Sequence, residues 1–254
     1  ISSGASLGVA LVVLAAGVAG GSTLLAGVSL TGDISLTLAS IVGSALVLLL
    51  VMAVARRVQS TMTLLILGLM FGYATGALVS VLLYFSIAER IQAYISWTFG
   101  SFSGVTWSQL QVFGPVIGVA LAVSHTLVKP LNALLLGETY ARSMGLHVGL
   151  ARLGIIGASA SLAGVVTAFC GPIAFLGIAV PHLCRSLLGT SDHRLLLPAV
   201  TFLGGALALA ADMLAQLPGS QLTLPLNAIT ALLGAPVVIW VILRQRNLRE
   251  AFAG

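Results

Sequence analysis

The stretch GPIAFLGIAVPHLCRSLLGTSDHRLLLP, Gly171 to Pro198, decides how the chain is built. It carries an apolar helix into a short polar turn and then into the start of another apolar helix. Proline lacks an amide hydrogen yet fits a first helical turn, so Gly171-Pro172 reads as a tight reversal that ends one helix and opens the next. The helix that follows is short, with Pro181-His182 near its far end. Arg185, Asp192, His193 and Arg194 then crowd into a segment too polar for hydrocarbon, which places this end at a membrane surface.

Working outward, the rest of the chain repeats the pattern of long apolar runs and brief polar connections. Charged residues make up 7% of the sequence, hydrophobic residues 59%, and the mean hydropathy is +1.14. A soluble domain carries roughly 25% charged residues, so the composition specifies an all-α, polytopic helical membrane protein. A crossing helix needs about 20 apolar residues, which lets 254 residues hold about eight spans. They fall near Gly4 to Ala26, Leu36 to Ala55, Leu64 to Phe85, Val112 to Val128, Leu150 to Phe169, Ile173 to Leu188, Leu195 to Ala215 and Leu226 to Leu243. Between the third and fourth, the aromatic-rich segment Ile91 to Trp107 reads as an interfacial helix. The 29 glycines suit close helix packing. No internal repeat or soluble domain is visible, and residues 1–254 form a single transmembrane domain.

Orientation follows from the basic residues. If the loop Arg56 to Met62 is cytoplasmic, strict alternation puts ten of the eleven Lys and Arg residues inside and leaves only Arg90 outside. The C-terminus is then cytoplasmic, and so is Ile1. The start, ISSGASLG without methionine, lies inside a patterned sequence, so a preceding part with an even number of spans is expected.

The longest cytoplasmic connection, Lys129 to Arg152, offers two short helices broken at Gly137 and stopped at Gly145. Apolar residues outside the bilayer need a cover: either the loop folds back on its own helix ends, or it docks a cytoplasmic partner with Glu138 or Arg142 at the rim. The single lysine, Lys129, follows Leu127-Val128 and precedes proline, so a phosphate-cradling GxxxxGK[ST] loop is missing and the chain is not its own P-loop ATPase.

Several polar residues have plain structural readings. Asp212 lies late in its span, where hydrogen bonding at the helix end competes with contact to substrate or a binding protein. His182 and His193 stand beside Arg185 and Arg194, which disfavours a cation, so no metal site is expected. His125 reads as a satisfied core residue, and Cys170 and Cys184 as small buried hydrophobes. No pair of catalytic groups faces each other at depth, and a proton- or sodium-coupled secondary transporter has only Asp212 to work with.

ISSGASLG, SWTFGSFSGVTW (96–107), LNALLLGETYARSMGL (131–146), the 171–198 stretch, Asp212 and ALLGAPVVIWVILRQR (231–246) together resemble the FecCD-type permeases, subunits of ATP-binding-cassette importers for ferric siderophores, haem and cobalamin. The resemblance implies a ten-span fold of which the last eight are present. It implies pairing with a second, identical or similar permease, two cytoplasmic ATPase subunits, and a binding protein outside. It also implies a bacterial plasma-membrane location, a metal-chelate cargo with ferric siderophore first, no cofactor bound directly, and ATP and Mg on the partner ATPase. By the same resemblance residues 131–146 are coupling helices, with Leu136, Gly137, Glu138, Ala141, Arg142 and Gly145 as contacts. Gln59, Ser60, Thr61 and Met62 correspond to a cytoplasmic gate. A bulky charge at Ala141 or Gly145 is then expected to abolish uptake in a folded permease. Where the family often carries arginine four residues after the aspartate, this chain has Gln216, and Glu-Leu-Pro-x-Gly appears as Thr223-Leu224-Pro225-Leu226-Asn227. Docking of the binding protein is therefore expected to use Asp212, Gln216, Ser220 and Gln221 or the preceding segment.

Overall fold

A computed structural model describes residues 2–15, 30–55, 61–216 and 223–251, and within them the chain is helical with no strand. The elements are α1 (Ser2–Ala15), α2 (Leu30–Ala55), α3 (Thr61–Tyr84), α4 (Ala88–Thr98), α5 (Trp107–Thr126), α6 (Val128–Leu135), α7 (Glu138–Ser143), α8 (Val148–Cys170), α9 (Leu176–Leu188), α10 (His193–Ala215) and α11 (Leu226–Ala251). Helices satisfy their own backbone groups, which is what allows so apolar a chain to stand in lipid. Five of them, α2, α3, α5, α8 and α10, are long and apolar enough to cross a membrane, and α1, α9 and α11 carry shorter apolar stretches.

Small residues set the central contacts. A Cβ on Gly4 would strike the Gly43 carbonyl, one on Gly43 the Gly4 carbonyl, and one on Gly8 the Ala39 carbonyl, so α1 and α2 meet backbone to backbone. On the other face of α2, a Cβ on Gly164 would lie 2.8 Å from the Ile41 Cα. Two buried hydroxyls complete this second contact: Ser40 donates to the Gly164 carbonyl at 2.7 Å and Ser44 to the Ala160 carbonyl at 3.0 Å. Bonds of this kind between membrane helices contribute about 0.6 kcal/mol each, so they set register more than stability. Helices α3 and α5 flank this group, and α9, α10 and α11 pack as a second one.

The segment expected as an interfacial helix contains α4, which ends at Thr98, earlier than the expected Trp107. Residues 99–106 instead form a loop, and Thr106 caps α5 in a reciprocal box with Gln109. The amphipathic α4 is seated through Tyr94, packed with Ala10 and Val79, and through Trp97, whose indole donates to the Ala168 carbonyl at 3.0 Å.

A second correction concerns the reversal. Gly171 does end α8, at φ 77, but α9 starts at Leu176 and not at Pro172. The five intervening residues are held out of helix by outside partners: the Ala174 amide donates to Asn227 Oδ1 at 3.2 Å, and Phe175 adopts a positive φ of 65. Pro181 consequently sits in the middle of α9. His125 also differs from expectation. It is exposed near the end of α5, its ring satisfied at 2.9 Å by the Leu121 carbonyl of its own helix. Cys170 and Cys184 are both buried.

The bundle has two distinct ends. At one, α6, α7, the start of α8 and the α9–α10 turn meet. At the other, the 99–106 loop, the 171–175 segment and the start of α11 are stitched by three bonds: Ser101 N to Cys170 O at 3.0 Å, Asn227 N to Phe99 O at 3.0 Å, and Ala174 to Asn227.

Candidate functional site

The α6–α7 loop is built as two short helices joined at Gly137, whose φ of 97 is open to glycine at no steric cost. Gly145, at φ 83, ends the second. Leu135, Leu136, Tyr140 and Met144 are all more than half exposed, whereas Ala141 is fully buried. Glu138 pairs with Arg152, which ties α7 to the N-terminal part of α8. The loop is therefore braced from within and presents its apolar side chains outward. Glu138 spends its charge inside the chain, leaving Arg142 exposed at the edge.

Asn132 on α6 was not singled out by the sequence reading, yet it makes the densest polar cluster at this end. Its Nδ2 donates to Asp192 Oδ1 at 2.6 Å, while its Oδ1 accepts from the His193 amide at 2.9 Å and from His193 Nδ1 at 2.8 Å. Asp192 is the N-cap of α10 and accepts the Arg194 amide at 2.9 Å through the same oxygen. These donors, the Arg194 amide first and the Asn132 amide next, hold the Asp192 carboxyl below its ordinary value. A lowered carboxyl pKa means this contribution is complete above the ordinary carboxylate range and lost as pH falls through the lowered value. The available signal was an asparagine inside LNALLL and an aspartate three residues before the apolar run that starts at Leu195.

At the opposite end, Asp212 lines a cleft of about 180 Å³ with Ser96, Ser101, Ser103 and Gln216. Gln216 Nε2 donates to Asp212 Oδ2 at 2.6 Å, so glutamine takes up the carboxylate from one turn away. Asp212→Asn keeps an acceptor oxygen for that bond and is expected to hold uptake within about threefold at equal expression, less than one charge-assisted hydrogen bond. Complete loss would instead assign Asp212 a direct contact.

Thr61 and Met62 open α3, while Gln59, Ser60, Ser220 and Gln221 lie outside the described residues. Among the described residues no three His, Cys, Asp or Glu side chains gather as metal ligands. Two mostly apolar grooves run along the bundle, one of about 470 Å³ between α5 and α8 and one of about 490 Å³ between the 102–113 region and α10.

Apolar helices packed through glycine and serine, with a braced two-helix loop displayed at one end, define a polytopic helical membrane protein. A sequence profile of the FecCD transport family matches residues 1–244, and the chain belongs to that family. It is 38% identical over 248 residues to the vitamin B12 import system permease protein BtuC of Klebsiella pneumoniae subsp. pneumoniae, covering 97% of this chain and 71% of that one. With the protein of the same description from Escherichia coli O9:H4 it shares 37% over 213 residues, 84% of this chain and 65% of the relative. In structure it is similar to a transporter solved in an inward-facing conformation and assigned to the metal-chelate type of ABC transporter. The TM-score there is 0.77 at 29% identity, over 96% of this chain and 73% of the other.

Proposed function

We propose that this chain is the membrane permease subunit of an ATP-binding-cassette importer that carries a metal chelate by alternating access. The observation that carries the reading is the family match over residues 1–244, joined by relatives described as vitamin B12 import permeases. In this reading α6 and α7 are the coupling helices, and their exposed Leu135, Leu136, Tyr140 and Met144 enter a cleft on a cytoplasmic ATPase that binds ATP and Mg. The C-terminus shares that cytoplasmic side of a bacterial plasma membrane. A second permease completes the pathway, Gln59 to Met62 serve its gate, and a binding protein delivers cargo to the end that holds Asp212 and Gln216. ATP closure acts as a conformational bias, and shifting a two-state equilibrium from 1:99 to 99:1 takes about 5.5 kcal/mol of differential binding.

The family resemblance makes a ferric siderophore the first candidate cargo. Cobalamin is the second reading, favoured by what the relatives at 37 and 38% identity are described as importing. Vesicles holding the permease with its ATPase, supplied with the binding protein and labelled ferric siderophore, haem or cobalamin, decide between them. ATP-dependent accumulation of one chelate is expected. Uptake that ignores removal of the ATPase but collapses with an uncoupler would replace this reading with a secondary transporter.

A further inference from the structure

The α6 helix is attached to the α10 span at a single amide. Asn132 does more than touch the neighbouring helix: it completes that helix's first turn. The opening amides of a helix have no partner within it. In α10 the His193 amide is taken by Asn132 Oδ1, and the Arg194 amide by the Asp192 carboxylate, which Asn132 Nδ2 in turn holds at 2.6 Å. The His193 ring adds a second donor to the same Asn132 oxygen at 2.8 Å. One short side chain on α6 thus caps α10 in trans. The other short helix is tied elsewhere, with Glu138 of α7 on Arg152 of α8. Each half of the loop grips a different span, so a displacement of the loop is divided between α8 and α10.

We propose that Asn132 is the positioning residue that carries movement of the α6–α7 loop into α10, a proposal that rests on the ATP-driven importer reading above. The physical basis is stiffness. A carboxylate–amide bond reinforced by two helix-end donors resists separation far better than the apolar contacts around it. Asn132 lies apart from the exposed Leu135 and Leu136, being itself half-buried, so its removal leaves the apolar docking side chains in place.

The test uses the complete transporter with its ATPase and binding protein, reading chelate uptake and ATP hydrolysis in the same vesicles. Asn132→Leu keeps the branched shape and removes every polar contact. It is expected to lower chelate taken up per ATP hydrolysed by about tenfold, the size of one lost charge-assisted hydrogen bond, with the ATPase still co-purifying. Asn132→Asp sets two carboxylates against each other and is expected to fail in the same way. Asp192→Asn, by contrast, leaves at 192 an oxygen that can accept from both the Arg194 amide and Asn132 Nδ2. That variant is expected to hold coupling to within about twofold of the unaltered chain, since asparagine and aspartate cap about equally well.

Unchanged uptake per ATP in N132L overturns the proposal. So does equal loss of ATPase association and uptake, which would make Asn132 part of the docking face. If N132L fails to fold, Asp192→Asn and Asn132→Asp still decide, because equal coupling in the two overturns the link. Absence of ATP-driven uptake in the unaltered chain removes the functional reading itself, an outcome distinct from a failure confined to the variants.

Discussion

Leu136→Asp is expected to abolish recruitment of the ATPase, and with it uptake, in a permease that remains folded in the membrane. Leu136 is 64% exposed and stands beside Leu135, Tyr140 and Met144 at the turn made by Gly137. Leucines displayed in this way gain nothing from their own chain, so their burial energy is available to a partner. Replacing an anchor of this sort with a charge removes its apolar contact and leaves a carboxylate to desolvate in the partner's groove. The combined loss is about 2 to 4 kcal/mol, or roughly 30- to 1,000-fold in affinity. Co-purification of the ATPase with the variant and thermal unfolding of the permease alone are the two readouts. Recruitment should vanish while the unfolding midpoint stays put. Ala141→Glu supplies the contrast and revises the expectation that a charge there leaves the permease folded. Ala141 is fully buried beneath α7, so a carboxylate at that site must break the packing that braces the loop, and both readouts should fall together. Normal recruitment by the Leu136 variant would remove the docking role from the loop.

The contrast between those neighbours also marks what the residues themselves could convey. The turn at Gly137 and the stop at Gly145 were legible because only glycine accepts their positive φ cheaply, and the structure has φ 97 and 83 there. The apolar spans were legible because so apolar a composition calls for helices in lipid, and among the described residues α2, α3, α5, α8 and α10 fall where five of the runs do. The face of α7 that is buried was not legible: six residues are too few for a periodic pattern to separate Ala141 from Tyr140. Nor was the partner of Asn132. Its side chain reaches 60 residues along the chain to Asp192, and a contact of that separation leaves no local trace. The five residues after Cys170 failed for the same reason. Proline is suited to a first helical turn, but Ala174 is bound to Asn227, 53 residues away, and tertiary bonding overrides the local preference. Asp212, for which hydrogen bonding at the helix end competed with a direct contact, accepts from Gln216, an i, i+4 contact that sequence spacing can see.

Gly171→Ala is expected to cost the permease far more stability than Gly189→Ala, although both glycines hold a positive φ. Gly189 has φ 61 and ψ 19, the left-handed region, and a Cβ there meets open space, so the substitution costs about 1 to 2 kcal/mol of backbone strain and nothing else. Gly171 has φ 77 and ψ 176, a region that is essentially reserved for glycine and costs about 1 to 3 kcal/mol for any other residue. Its Cβ would also strike the Trp97 carbonyl and stand 2.9 Å from the Gly100 Cα and 3.3 Å from the Gly100 amide. These are backbone atoms and cannot rotate away. Relief requires α4 and the 99–106 loop to withdraw from α8, which breaks the Ser101–Cys170 bond and the Trp97–Ala168 bond, each contributing about 1 kcal/mol. The sum is about 3 to 5 kcal/mol, a large fraction of the stability of a helical domain. Thermal unfolding of the solubilised permease measures the difference, and equal shifts for the two variants would show that the 96–103 segment is only loosely seated on α8. The consequence for transport is directional. The displaced loop carries Ser101 and Ser103, which line the cleft of Asp212, so under the proposed docking the surviving folded fraction should bind the binding protein more weakly while still recruiting the ATPase at the α6–α7 end.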